Sequence, residues 1–203
     1  MAKKTWITNW YPRDEHVFNA FATCGALQKE DMNEYVKDKR IKNYERDGYI
    51  EKCTDTRTGD EYYKLTEKGK DLCRDQYDRE PTRFYSWNHE KGNRDMYFMM
   101  SKSQRMEQMS EPELRRTITN YFEELKQSNC EEERERGHKM QADYKAGRIS
   151  CPDFGVLKIN EQSREVERAE FCETITASYK PEEVDAKFGM SQAFGGTLTP
   201  NYV

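Results

Sequence analysis

The sequence contains no CxxC pair, and its histidines (His16, His89, His138) sit near none of its scattered cysteines (Cys24, Cys53, Cys73, Cys130, Cys151, Cys172). Structural zinc sites draw their ligands from closely spaced pairs, so this spacing excludes the common zinc motifs. Long apolar runs are also missing. Nothing approaches the roughly 20 residues of a membrane-spanning helix, and the opening MAKKTWITNW lacks a signal-peptide core. The expectation is a cytoplasmic protein with reduced thiols, no cofactor and no membrane partner. Excess positive charge is absent as well. The formal net charge is −4, so a nucleic-acid face must be a segregated patch rather than a property of the whole molecule. Disorder is not expected, because 13 Tyr, 9 Phe and 3 Trp supply apolar area that disordered chains usually lack.

What is present is organised around residues 38–70, DKRIKNYERDGYIEKCTDTRTGDEYYKLTEKGK. A basic helix over 38–47 runs into Gly48, which suits the left-handed position after a helix end. A β run over 49–54, a polar turn with Gly59 and a second β run over 61–65 follow, and Thr66 caps the next helix. Helix, hairpin, helix is what a winged helix-turn-helix needs after its first two helices. In that reading 38–47 is the recognition helix and 55–60 the wing tip. Five basic side chains (Lys37, Lys39, Arg40, Lys42, Arg46) face two acidic ones over 37–46, while Ile41 and Tyr44 form the inward face. With Arg57 at the wing tip, these basic residues are the expected DNA contacts.

In chain order, residues 1–11 read as aromatic but irregular. Pro12 stands near the start of a first helix bearing Val17, Phe18 and Phe21 and ending near Gly25. Leu27, Met32, Tyr35 and Val36 predict a short second helix. Thr66 opens a helix to about Tyr77 with Leu72 inward, and 74–81 reads as a joint between domains. The methionine and aromatic cluster Met96, Tyr97, Phe98, Met99 and Met100 is expected to be buried. Ser110 and Glu113 form a capping box for a helix whose face is Leu114, Ile118, Tyr121, Phe122 and Leu125. That face is able to pair with a second copy of the chain or to cover a sheet of its own. A highly charged helix over 131–148 follows. Strands are predicted over 151–159 and 165–176, then a helix from Pro181 with Val184, Phe188 and Ala193 inward. TLTPNYV is expected to fray.

Asp153, near the start of one strand, and Glu173, on the next, resemble the metal-holding carboxylates of PD-(D/E)xK nucleases. Ile175 stands where the lysine belongs, and Lys187 substitutes only if its helix brings it back to the carboxylates. These three are the candidate catalytic residues, with no assigned activity and no assigned metal.

The stretches YPRDEHVFNAF, KRIKNYERDGYIEK, GDEYYKLTEKGKDL and NHEKGNRDMYFMM, in that order, resemble the replication-relaxation family of winged-helix proteins from bacterial plasmids and integrative elements. CPDFGVLKI and AEFCETITASY, with Lys187 beyond them, are similar to that family's nuclease-like tail. The first 75 residues resemble winged-helix proteins broadly, MarR-type regulators included. Two departures stand out: Gln28 where a Ser or Thr often caps helix two, and Ile175 in place of the lysine. The resemblance implies a double-stranded DNA-binding protein in replication, maintenance or regulation of a mobile element. The expected fold class is α+β: a winged-helix domain over 1–80, a helical middle over 81–148, and a β-hairpin-plus-helix unit over 149–203 that is PD-(D/E)xK-like and degenerate. Winged-helix DNA readers are often twofold dimers, so a homodimer is a further expectation. Two other classes compete. The acidic run at 131–136 and the negative net charge suit a protein-interaction module that inhibits a host defence enzyme, as anti-CRISPR proteins do. A metal-dependent nuclease is the third.

Overall fold

Pro12, with its φ preset and no N–H to leave unpaired, opens helix α1 (Pro12–Cys24) in the computed structural model, which describes residues 7–203. Of the irregular start, residues 1–6 lie outside the described residues, and 7–11 carry no helix or strand. Val17, Phe18 and Phe21 are fully buried, as their helical spacing predicts. Leu27 differs from expectation. It lies in a two-residue strand, β1 (Ala26–Leu27), and helix α2 (Lys29–Asn33) is correspondingly short. The missing Ser or Thr cap is offset by Asp31, whose carboxylate accepts the Gln28 N–H at 2.7 Å.

Helix α3 (Asp38–Arg46) buries Ile41 and Tyr44 and ends before Gly48, at φ 77°. Strands β2 (Ile50–Thr54) and β3 (Glu61–Leu65) pair antiparallel from Ile50 opposite Leu65 to Thr54 opposite Glu61. Gly59, also at φ 77°, reverses the chain between them. β1 adds to the other edge of β3, giving the order β1-β3-β2. Helix α4 (Glu67–Tyr77) starts where Thr66 Oγ1 accepts the Gly69 N–H at 3.2 Å. Its buried residues are Gly69 and Cys73; Leu72 is only half-buried.

The joint expected at 74–81 is not one. Pro81 and Thr82 are buried, and the Thr82 N–H donates to the Ala22 carbonyl at 2.8 Å, holding the segment against α1. Helix α5 (Trp87–Met99) then packs on α1 and β1. Met96 and Tyr97 are buried as expected, but Met99 is 88% exposed. At the last residue of helix α6 (Lys102–Glu107), the chain divides into two units, Met1–Met106 and Glu107–Val203. The stretch 81–148 is therefore shared between the two rather than standing as a middle region, because its helices pack on different sheets.

In the second unit a short strand β4 (Met109–Ser110) leads into helix α7 (Glu111–Lys126), where Glu113 accepts the Ser110 N–H at 2.8 Å as the capping box requires. Helix α8 (Glu131–Lys145) packs closely on α7. Its Gly137 allows this, since a Cβ there would stand 2.8 Å from the Leu125 Cβ. Strands β5 (Phe154–Ile159) and β6 (Val166–Ile175) form the predicted hairpin, and helix α9 (Pro181–Ala193) follows. Two expectations fail here. Ala186 and Met190, not Val184 and Phe188, are the buried apolar residues of α9, beside buried Ser191, and Phe194 is buried just past its end. TLTPNYV is no frayed tail: Thr197–Tyr202 is strand β7, parallel to β6 from Glu170 opposite Thr197 to Ile175 opposite Tyr202. The sheet order is β4-β5-β6-β7. Leu114, Ile118, Tyr121, Phe122 and Leu125 share one core with Leu157, Phe171, Met190 and Phe194. That α7 face is thus used within the unit and cannot serve as a dimer surface.

Candidate functional site

On α3 the side chains divide by face. Ile41 and Tyr44 dock the helix on the core of the first unit, while Lys37, Lys39, Lys42 and Arg46 are exposed. Lys37, Lys39 and Lys42 have no salt-bridge partner among the described residues. Arg46 contacts its neighbour Asp47 at 3.2 Å. Of the two acidic residues among them, Glu45 is exposed, and Asp38 is already engaged: Lys29 lies 2.6 Å from its carboxylate and holds its pKa below the ordinary value.

Arg40 departs from the expectation of a DNA contact. Its Nε donates to Asp14 Oδ1 at 2.9 Å and its Nη2 to Asp14 Oδ2 at 2.6 Å, with a further bond from Nη2 to the Asn9 carbonyl at 2.7 Å. The Tyr44 hydroxyl donates to the same carboxylate, and the Tyr11 N–H adds a fourth donor at 2.8 Å. Asp14 is completely buried. Burial opposes the Arg40 charge, and the hydrogen bonds to Asp14 and Tyr44 override it. The guanidinium also lies 5.5 Å from the ring centres of Trp10 and Tyr44. Arg40 therefore fastens α3 to α1. The sequence signal was its i, i+4 spacing to the inward Tyr44, which puts both on one side of the helix.

Arg13 is the basic residue that sequence reasoning missed. Exposed on the first turn of α1, it rests over the Tyr11 ring at 4.8 Å, beside the start of α3. At the hairpin tip, Arg57 is exposed as expected. The tip is shaped by Asp55, whose Oδ1 accepts the N–H groups of Arg57 at 2.9 Å and Thr58 at 2.8 Å. Those bonds hold the Asp55 carboxyl below its ordinary pKa. Behind the tip, Lys52–Glu61 and Lys64–Glu51 pairs at 2.6 and 3.1 Å neutralise the strands.

In the second unit the three candidate catalytic residues do meet. Lys187 Nζ lies 2.8 Å from Glu173 Oε1 and donates to the Cys151 carbonyl at 2.6 Å. The Tyr179 hydroxyl donates to the same Oε1 at 2.8 Å, and the Asp153 N–H donates to Oε2 at 3.0 Å. Asp153 Oδ2 in turn accepts the Thr174 N–H at 2.8 Å. Glu173 is completely buried and Asp153 nearly so. Burial, then the Asp153 charge, pushes the Glu173 carboxyl up to about 7 against the opposing pull of Lys187 and Tyr179. A divalent cation needs free carboxylate oxygens. Both Glu173 oxygens are already engaged, Oε1 by Lys187 and Tyr179 and Oε2 by the Asp153 N–H. The neighbouring cleft of about 420 Å³ is lined by Ser150, Tyr179, Glu183 and Lys187 but by neither Asp153 nor Glu173. The residues as arranged do not fit a metal, and the group acts as a closed charge cluster joining β6 to α9.

The acidic run on α8 is not a segregated surface either. Glu131, Glu132 and Glu135 are exposed but alternate with Arg134 and Arg136, and Glu133 lies 3.0 Å from Arg164. No helix among the described residues is long and apolar enough to cross a membrane. Neither a protein-family model, nor a curated protein, nor a solved structure matches this chain.

Proposed function

We propose that this chain binds double-stranded DNA through a winged helix-turn-helix, in which α3 is the recognition helix and the β2–β3 hairpin the wing. The observation that carries the reading is the division of α3: Ile41 and Tyr44 anchor it while Lys37, Lys39 and Lys42 stand exposed beside a neutralised Asp38. Lys39 and Lys42, three residues apart, share one exposed face of α3, and Lys37 stands at its N-cap, so the three unpaired lysines offer separate contacts to backbone phosphates. The element order helix, strand, helix, helix, hairpin, with strands ordered β1-β3-β2, is the order such a module requires. A role in replication, maintenance or regulation of a mobile element rests on the resemblance to the replication-relaxation family, carried mostly by the later stretches NHEKGNRDMYFMM, CPDFGVLKI and AEFCETITASY.

The test is fluorescence anisotropy of a labelled duplex against a potassium chloride series. Substituting Lys37, Lys39 and Lys42 together by Ala is expected to lower the salt slope by about 0.9 for each phosphate no longer neutralised, with unchanged circular dichroism. A triple variant that keeps the wild-type slope would move the DNA surface elsewhere. Arg57→Ala is expected to cost less, because a hairpin tip reaches backbone or minor groove at one point.

A further inference from the structure

We infer that the groove at the head of α3 clamps one phosphodiester segment of the DNA backbone, with Arg13 of α1 as its fork and Lys37 and Lys39 as its flanking charges. This deepens the DNA-binding reading and rests on it. The groove has a volume of about 840 Å³ and is lined by both α1 and α3, so it is built by the docking of two helices rather than by one helix end. Its size falls within the range of small-ligand clefts, roughly 300–1,000 Å³, which admits a sugar-phosphate segment rather than a lone ion.

The charges lining it are sorted before any ligand arrives. Arg40 is committed to Asp14, and Asp38 is committed to Lys29. That leaves Arg13, Lys37 and Lys39 as a cationic rim. Arg13 is preorganised: stacking on Tyr11 at 4.8 Å supports one face of the guanidinium and leaves its planar donor edge for a partner. A guanidinium edge matches two phosphate oxygens bidentately, which a lysine cannot do. Asn43 lies one helical turn beyond Lys39 on the same side of α3 and lines the groove with an amide able to donate to the same backbone. Lys42 and Arg46 are exposed farther along α3, outside the groove's lining. A DNA backbone running past the groove would meet these charges, whereas an isolated acidic ligand held in it would not.

The experiment compares the wild type, Arg13→Ala, Arg13→Lys and Lys42→Ala on two duplexes of unrelated sequence across a potassium chloride series. Arg13 is exposed, and circular dichroism confirms that each variant folds. Arg13→Ala is expected to weaken both duplexes equally, by about tenfold at low salt, and to lower the salt slope by about 0.9, the value of one phosphate. Arg13→Lys is expected to keep the slope while losing part of the affinity, since it keeps the charge but not the fork. If Arg13→Ala keeps the wild-type slope while Lys42→Ala loses it, DNA binding stands and the clamp falls. If the wild type binds neither duplex at low salt, both fall. A polyglutamate peptide whose binding depends on Arg13, with DNA binding untouched by Arg13→Ala, would overturn the clamp and assign the groove to an acidic protein.

Discussion

Arg40→Ala is expected to destabilise the first unit by about 3–5 kcal/mol, the range for removing one partner of a buried ion pair. Asp14 has no exposure, and four donors converge on it, two of them from Arg40. Without the guanidinium, the carboxylate keeps neutral donors only and stays buried with its charge uncompensated. The double substitution Asp14→Asn with Arg40→Ala is expected to recover part of the loss, because it removes the orphaned charge. Trp10 and Trp87 belong to this unit and residues 107–203 contain no tryptophan, so tryptophan fluorescence in urea reads its unfolding selectively. A loss below about 1 kcal/mol, the size of an exposed pair, would show that Arg40 is dispensable. The result also matters for DNA-binding work. A variant that removes Arg40 along with the neighbouring lysines would fail to bind through unfolding, and the failure would be misread as the removal of a DNA contact.

The second large effect is expected in the other unit and depends on pH. Glu173 titrates near 7 in the folded chain, above its ordinary value of 4.5. A group whose folded pKa is raised contributes stability that is complete below the unfolded value and is lost as pH rises through the folded one. The second unit is therefore expected to lose on the order of 2–3 kcal/mol between pH 5 and pH 8 from this group. The Lys187 pKa is also raised, from 10.5, so its contribution is lost only at strongly alkaline pH and does not vary in this window. Glu173→Gln should flatten the pH dependence. Lys187→Ala removes the nearest opposing charge from a buried carboxylate and should cost about 3–5 kcal/mol at pH 8, and less at pH 5, where Glu173 takes up a proton. Amide exchange across β5 and β6, followed by mass spectrometry, reads this unit separately. Equal destabilisation by Lys187→Ala at both pH values would show that Glu173 does not titrate there.

Local signals carried much of the architecture. Pro12, Gly25, Thr66 and the Ser110–Glu113 box mark element boundaries through short-range hydrogen bonds and fixed dihedrals, and all four act where their chemistry predicts. The α7 face was legible because five large apolar residues recur at helical spacing. What escaped detection depends on partners distant in sequence. β7 reads as tail because Pro200 and alternating threonines carry little apolar signal; its strand identity comes from pairing with β6. The α9 face was misassigned because Ala186 and Met190 are less conspicuous than Val184 and Phe188. The meeting of Lys187 with Glu173 required knowing that α9 crosses from β6 to β7. Arg13 looked like one more charge in a helix start, and only the docking of α3 against α1 brings it to the groove.

The parallel pairing of β7 also sets an order of events during synthesis. A parallel neighbour cannot be reached by a tight turn, so β6 must wait for the α9 crossover before its second edge is filled. The first unit has left the ribosome with all its elements well before that, at roughly 5–20 residues per second. In the interval β6 carries a row of unpaired N–H and C=O groups next to buried Phe171 and Ile175, an open template for the wrong strand. Nascent chains arrested before Thr197 would accordingly hold a protease-resistant first unit joined to a protease-sensitive second one. The second unit's vulnerability on the way to its native state is thus concentrated in its last strand, while the first unit is indifferent to it.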